Sequence, residues 1–388
     1  MALSALIISG CNSTNSYHVF DPPLNSTFSV PAQDIILVRP NLEEREQYQL
    51  LIVHLTQLLS QPEATHEQKA QILYQLGIIY DRLGLDVTAR TMFVSSLIEV
   101  PDYAKAYNFL GIYLASTERF SESYDAYDAV LEIDPEETYA YFNRGIALYY
   151  GNRAELALID LKKFYEYDSN DPFRIAWLYI VEHEVYGQEQ ALTNLKERQA
   201  KLKGDIAWGP IVLDFLAGEK SESEVIASIR EANVSEDEQG RRLCEAYFYM
   251  AKQAALEGKF KHAYDLFHLA LTGNVTGYLE YRYALLEIDR FERKEQVAQM
   301  DRQADLEQEK RSNFFKQQAD EARQYFEKLK QENPDDPLFA LPPKTIPIKE
   351  VSPNSTTTPA TPAKQSTPAK PTTPTKPTAP GKPAKPSK

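Results

Sequence analysis

Residues 73–84 read LYQLGIIYDRLG, residues 106–117 read AYNFLGIYLAST and residues 141–152 read YFNRGIALYYGN; within them Gly77, Gly111 and Gly145 stand 34 residues apart. A fixed step of this length marks a repeat built from a helical hairpin, where each unit packs only on its neighbours. With the glycine as position 8, the units start at Ala70, Ala104 and Thr138. The first then carries Leu76, Tyr80, Gly84, Ala89, Phe93 and Pro101 in phase, the second Tyr107, Leu110, Phe120 and Pro135, the third Tyr141 and Ala157. Small residues at positions 8 and 20 let the two helices approach, aromatic residues at 4, 11 and 24 fill the space left, and proline near 32 ends the second helix.

The tetratricopeptide pattern fits these positions, and the expected fold is all-α, a helical solenoid with flanking helices and a disordered C-terminal tail. The step continues in weaker form past Asp171, where Leu178 and Ala191 keep phase but Tyr179 takes the place of glycine, so a degenerate unit is expected there. A clearer unit returns over 244–275, with Tyr247, Met250, Ala251, Gly258, Phe260, Ala263, Phe267 and Ala270 in phase, and its missing proline suits a terminal, capping unit. Two helices are expected between these, over 209–216 and 221–232, and one or two more over 34–59. Cys244 falls in the helical stretch LCEAYFYM and reads as a buried structural thiol.

The chain has 388 residues, a net charge of -14 and no apolar run near the ~18 to 20 residues that cross a bilayer. An acidic body of this kind does not suit nucleic-acid phosphates. Residues 1–11, MALSALIISGC, end in Ser9, Gly10 and Cys11, the form of a bacterial lipobox, although no Lys or Arg precedes Arg39. We therefore expect a short lipoprotein signal over 1–10, lipidation at Cys11 and a polar tether over 11–33; Asn12 after the cysteine is the residue type that permits export to the outer membrane.

The solenoid is expected over 34–290. A charged helix follows over 291–333, with Val297, Met300, Ala304, Leu306, Phe314, Phe315, Ala319, Ala322, Phe326 and Leu329 thinly spaced along it. A Pro/Thr/Lys-rich tail then fills 334–388; from 351 onward it has six Lys and no acidic residue, so it cannot bury a core. Such a basic tail could bind the anionic cell wall, which gives an alternative reading of the chain as a structural tether between outer membrane and peptidoglycan.

Chemistry-bearing patterns are absent from the sequence. The six histidines form no HExxH or other close metal pair, no GxSxG, GxxxxGK[ST] or GxGxxG occurs, and Asp125 and Asp128 lie on the second helix of a repeat as a solvated face. No catalytic residue, metal or other cofactor is expected, and the chain reads as a non-enzyme. Binding is expected instead along the face of the first helices, at positions 2, 5, 9, 12 and 13: Tyr74, Ile78, Asp81, Asn108, Ile112, Tyr139, Phe142, Ile146 and Tyr149. Position 5 lacks the Lys, and position 9 the Asn, of a clamp for C-terminal carboxylates.

The lipobox, the three repeats and the strings LYQLGIIYDRLGL, YNFLGIYL, YFNRGIALYYGNR, NDPFRIAWLY and EYRYALLEI together resemble the NlpI family of bacterial lipoproteins, over about residues 11–289. The resemblance implies a homodimeric adaptor, anchored by lipid to the outer membrane and facing the periplasm. It also implies partners: peptidoglycan hydrolases, chiefly murein endopeptidases, presented to a tail-specific protease so that cell-wall turnover is regulated. Residues after 290 lie outside the likeness.

Overall fold

A computed structural model of the chain describes residues 20–39 and 42–334; the expectations for Cys11, the signal and the tail beyond 334 lie outside them. Among the described residues all regular structure is helical. A short 3-10 turn, Ala32–Asp34, precedes α1 (Leu42–Leu59), α2 (His66–Arg82), α3 (Asp86–Glu99), α4 (Ala104–Ser116), α5 (Phe120–Ile133), α6 (Thr138–Tyr150) and α7 (Ala154–Tyr167). Then come α8 (Pro172–Tyr186), α9 (Gln188–Gln199), α10 (Pro210–Leu216), α11 (Glu222–Glu231), α12 (Glu236–Leu256), α13 (Phe260–Ala270) and α14 (Leu279–Glu332). The chain divides into two compact units, Met1–Arg311 and Ser312–Lys388.

Consecutive helices pair as antiparallel hairpins: α2 with α3, α4 with α5, α6 with α7, α8 with α9, and α12 with α13. The second helix of each of the first three hairpins also packs on the first helix of the next, which is the stacking that defines a solenoid. The tetratricopeptide fold is thus the fold of the body. Short α10 bridges α8 and α12, and α11 packs on α12.

The repeat spacing has a direct physical cause. A Cβ added at Gly77 would lie 2.5 Å from the Phe93 ring, one at Gly111 2.5 Å from Tyr127, and one at Gly145 2.8 Å from Leu161. In each hairpin the residue at position 24 therefore lies flat against a backbone that must be bare at position 8. The degenerate unit departs from this pattern: Tyr179 occupies position 8 and is buried, with its hydroxyl 3.0 Å from Gln253 of α12, and position 24 is the buried Leu195.

The turns inside the hairpins repeat as faithfully. Gly84, Glu118, Asn152 and Gly258, all at position 15, have positive φ, and the next amide reaches back to close the helix: Leu85 to Tyr80, Arg119 to Leu114, Arg153 to Leu148 and Lys259 to Ala254, each at 2.8 Å. Glycine or asparagine accepts this left-handed conformation at little cost; glutamate does not. Helix starts are set locally as well, by capping boxes at Thr65 and Ser221 and by Asp171 followed by Pro172.

The charged helix expected over 291–333 begins earlier, at Leu279, and the segment that the solenoid was expected to include up to 290 is its first part. No helix among the described residues is long and apolar enough to cross a membrane.

Candidate interaction groove

The face shared by the first helices α2, α4 and α6 is where a tetratricopeptide solenoid would take a ligand. In this chain part of it is already filled. The first stretch of α14, residues 279–295, buries Arg282, Tyr283, Ala284, Leu286, Ile288, Phe291 and Glu295, with Phe291 packed among Phe20, Phe260 and Phe267 rather than on these helices. Tyr283 stacks on Tyr150 of α6 with ring centres 4.7 Å apart and planes parallel within 1°, and Leu279 packs against the cluster of Ile112, Ala115, Tyr127 and Ala147.

Three polar anchors fix the register. Arg282 pairs with Asp81 of α2, which also accepts from the Tyr113 hydroxyl, and the guanidinium lies 5.0 Å over the Tyr113 ring. Glu287 accepts from Lys252 of α12 at 2.6 Å and from the Tyr150 hydroxyl at 3.0 Å. Arg290 reaches Glu118 at 2.6 Å and the Tyr150 carbonyl at 2.7 Å, while Arg293 takes the other oxygen of Glu118. Glu118 is the residue held in the left-handed turn, so strain in the backbone sits where two guanidinium groups are gathered.

The electrostatics follow from this packing. Burial would raise the Glu118 carboxyl, but hydrogen bonds from Arg290 and Arg293 hold it below the ordinary carboxylate value. Burial likewise disfavours a charged Lys252, and the Glu287 carboxylate beside it overrides that and holds the ammonium above its usual range. On α12, Glu245 is pushed up to about 8 by burial and then by the nearby Glu280; the Trp208 indole donates to it at 2.6 Å. Glu280 is raised as well, again by burial. Cys244 beside them is buried and its thiol is pushed well up, which agrees with a structural thiol.

Of the residues expected to line a binding face, Asp81, Ile112 and Ile146 are buried and present no surface in this structure. Tyr149 is half-buried and accepts a hydrogen bond from Lys252 at 3.0 Å. Tyr74 is half-buried among Phe93, Tyr103 and Phe109, and Phe142 stacks on Phe164 at 4.5 Å and meets Trp177 edge-on. Asn108 accepts from Asn143 at 3.1 Å, Ile78 is half-buried, and Tyr139 is 56% exposed. The pattern is a division among these residues. Asp81, Ile112 and Ile146 are buried, whereas Tyr74, Ile78, Asn108, Tyr139 and Phe142 keep surface for something else.

Sequence reasoning missed Arg282, Glu287, Arg290 and Glu118. The last left a signal: repeat alignment puts it where Gly84, Asn152 and Gly258 stand in three other units. Asp125 and Asp128 stand on α5, and Asp128 pairs with Arg144 at 2.5 Å. Among the described residues no group of His, Cys, Asp and Glu is arranged to hold a metal ion.

No family model matches the chain. Solved structures similar to it include MamA MSR-1, at 20% identity over 40% of this chain and 88% of that one, with a TM-score of 0.34. MamA from Desulfovibrio magneticus RS-1 is 18% identical over 41% of this chain and 94% of that one, with a TM-score of 0.33. YrrB, a TPR protein with an unusual peptide-binding site, is 14% identical over 52% of this chain and 84% of that one, with a TM-score of 0.31.

Proposed function

We propose that the chain is a non-catalytic adaptor that captures a segment of a partner protein along the part of its groove left open, over Tyr74, Ile78, Asn108, Tyr139 and Phe142. The observation that carries this reading is the division of the groove: Asp81, Ile112 and Ile146 are buried, while Tyr74, Tyr139 and Phe142 keep partly exposed rings with the Asn108 amide among them. Rigid, half-exposed aromatic rings with few rotamers to freeze are the side chains that concentrate binding energy in a docking site. The resemblance to the NlpI lipoproteins supplies the partner class: murein endopeptidases and related peptidoglycan hydrolases, brought to a tail-specific protease at the periplasmic face of the outer membrane. Lipid on Cys11 would supply the anchor, and a second copy of the chain would double the docking sites and raise local concentration.

Affinity capture from solubilised envelopes tests this, with the full chain and a Tyr139→Ala/Tyr74→Phe variant as baits. Tyr139 is mostly exposed and Tyr74→Phe keeps the ring, so the helical fold is expected to persist. The wild type should enrich peptidoglycan hydrolases and a periplasmic protease, and the variant should lose them at unchanged helix content. Equal capture by both baits rejects the groove; no such enrichment by the wild type rejects the adaptor. A Cys11→Ser chain should leave the membrane fraction.

A further inference from the structure

The second compact unit begins at Ser312, and from there α14 changes its alphabet. Phe315, Ala322 and Leu329 recur every seventh residue, and Ala319 and Phe326 fall four residues after the first two of them. Alternating steps of four and three place all five on one stripe of a helix, the pattern of the seam in a coiled coil. Phe315 is 69% exposed and Phe326 48%, with Phe314 and Tyr325 exposed beside the stripe. Such a length of apolar surface on a helix is shaped for a second helix.

The flanks say which one. The residues after Phe315, Ala322 and Leu329 are Lys316, Arg323 and Lys330, a basic edge, whereas the other edge has Gln318, Tyr325 and Glu332. An antiparallel second copy would set Lys316, Arg323 and Lys330 against their own counterparts. A parallel one would set Arg311 against Lys316 and offer only Gln318 and Tyr325 to Arg323 and Lys330. Self-pairing is therefore opposed by charge when antiparallel and gains no flank ion pair when parallel. An anionic lipid surface fits poorly too, because Asp320 and Glu327 lie next to the basic edge and the four basic residues of the segment are matched by four acidic ones.

We propose that Ser312–Glu332 is a docking strip for an amphipathic helix of a partner protein, one with an apolar seam and an acidic edge facing Lys316, Arg323 and Lys330. This site is separate from the groove and does not depend on the adaptor reading of it. The test uses the full chain and two labelled synthetic helices of three heptads, with leucine at the seam and either glutamate or lysine on both flanks, read by fluorescence anisotropy. The glutamate probe should bind, and binding should weaken as salt is raised, while the lysine probe should not bind. Lys316→Glu/Arg323→Glu/Lys330→Glu should weaken the glutamate probe by roughly tenfold or more and admit the lysine probe, a reversal that loss of folding could not imitate. Phe315→Asp should abolish binding of either probe. Equal binding of both probes, or of neither, overturns the proposal. So does a result in which the glutamate probe stays free while the chain either self-associates in sedimentation through Phe315 or binds anionic phosphatidylglycerol vesicles through the basic edge.

Discussion

Residues 279–295 and 312–332 belong to one helix, and they are built to opposite specifications. The earlier stretch buries aromatic and aliphatic side chains on several sides and places Arg282, Glu287 and Arg290 against specific counter-charges. In the later stretch every side chain is exposed except the half-buried Leu329, and the apolar residues keep to a stripe. A helix whose partner is in the same chain can afford irregular, individually fitted contacts. One that must present itself to another molecule is regular, because register has to be found anew at each encounter.

The sharpest way to break that contrast is at the buried ion pair. Asp81→Ala would leave Arg282, 8% exposed, with only the exposed Asp86 carboxylate 3.8 Å away, and the expected loss is about 3 kcal/mol in denaturant unfolding. A loss below about 1 kcal/mol would mean that the pair does not hold the first part of α14. Next in size is a pH effect at Glu245, which is surrounded by Glu280, Glu238, Arg242 and Trp208. Its folded carboxyl is raised, so the stability it contributes is present at low pH and fades as pH rises through about 8. Melting temperature should fall between about pH 5 and pH 8 in the wild type and level off above that, and Glu245→Gln should flatten the slope.

A smaller effect is expected at Glu118, where two changes that lose the same ion pairs should differ. Glu118→Gly releases the left-handed strain and Glu118→Ala does not, so the glycine variant should be more stable by about 1 kcal/mol. Both should speed hydrogen exchange of α14 amides near Arg290 if the latch is real, and unchanged exchange would assign Glu118 to the turn alone. The least effect belongs to the regular stretch: Phe315→Ala should change stability by no more than about 0.5 kcal/mol.

Much of the body is legible in the amino-acid order alone. Glycine spacing marks three hairpins because Phe93, Tyr127 and Leu161 at position 24 leave no room for a Cβ on Gly77, Gly111 and Gly145, a constraint strong enough to show in single residues. The unit at α8 and α9 is visible only faintly, since its position 8 is Tyr179, buried and bonded to Gln253 of α12, where the three clear units have glycine. The filling of the groove leaves no such trace. Arg282 finds Asp81 across 201 residues of chain, and no local period records a contact of that separation. That is why Asp81, Ile112 and Ile146 read as binding residues from their repeat positions and are buried in the fold, whereas Tyr139, on the same repeats, keeps its surface.

The same long-range contacts make the first part of α14 a ruler. Arg282 is matched to the first repeat, Arg290 to the turn of the second and Glu287 to Tyr150 of the third, and the eight residues from 282 to 290 measure about 12 Å along the axis. Most solenoids can lengthen or shorten by whole units because no part of them counts the units. This one is counted: inserting or deleting a block of 34 residues would keep every hairpin sound and still leave charged groups on the ruler facing the wrong marks, so the repeat number is locked by a helix that belongs to none of the repeats.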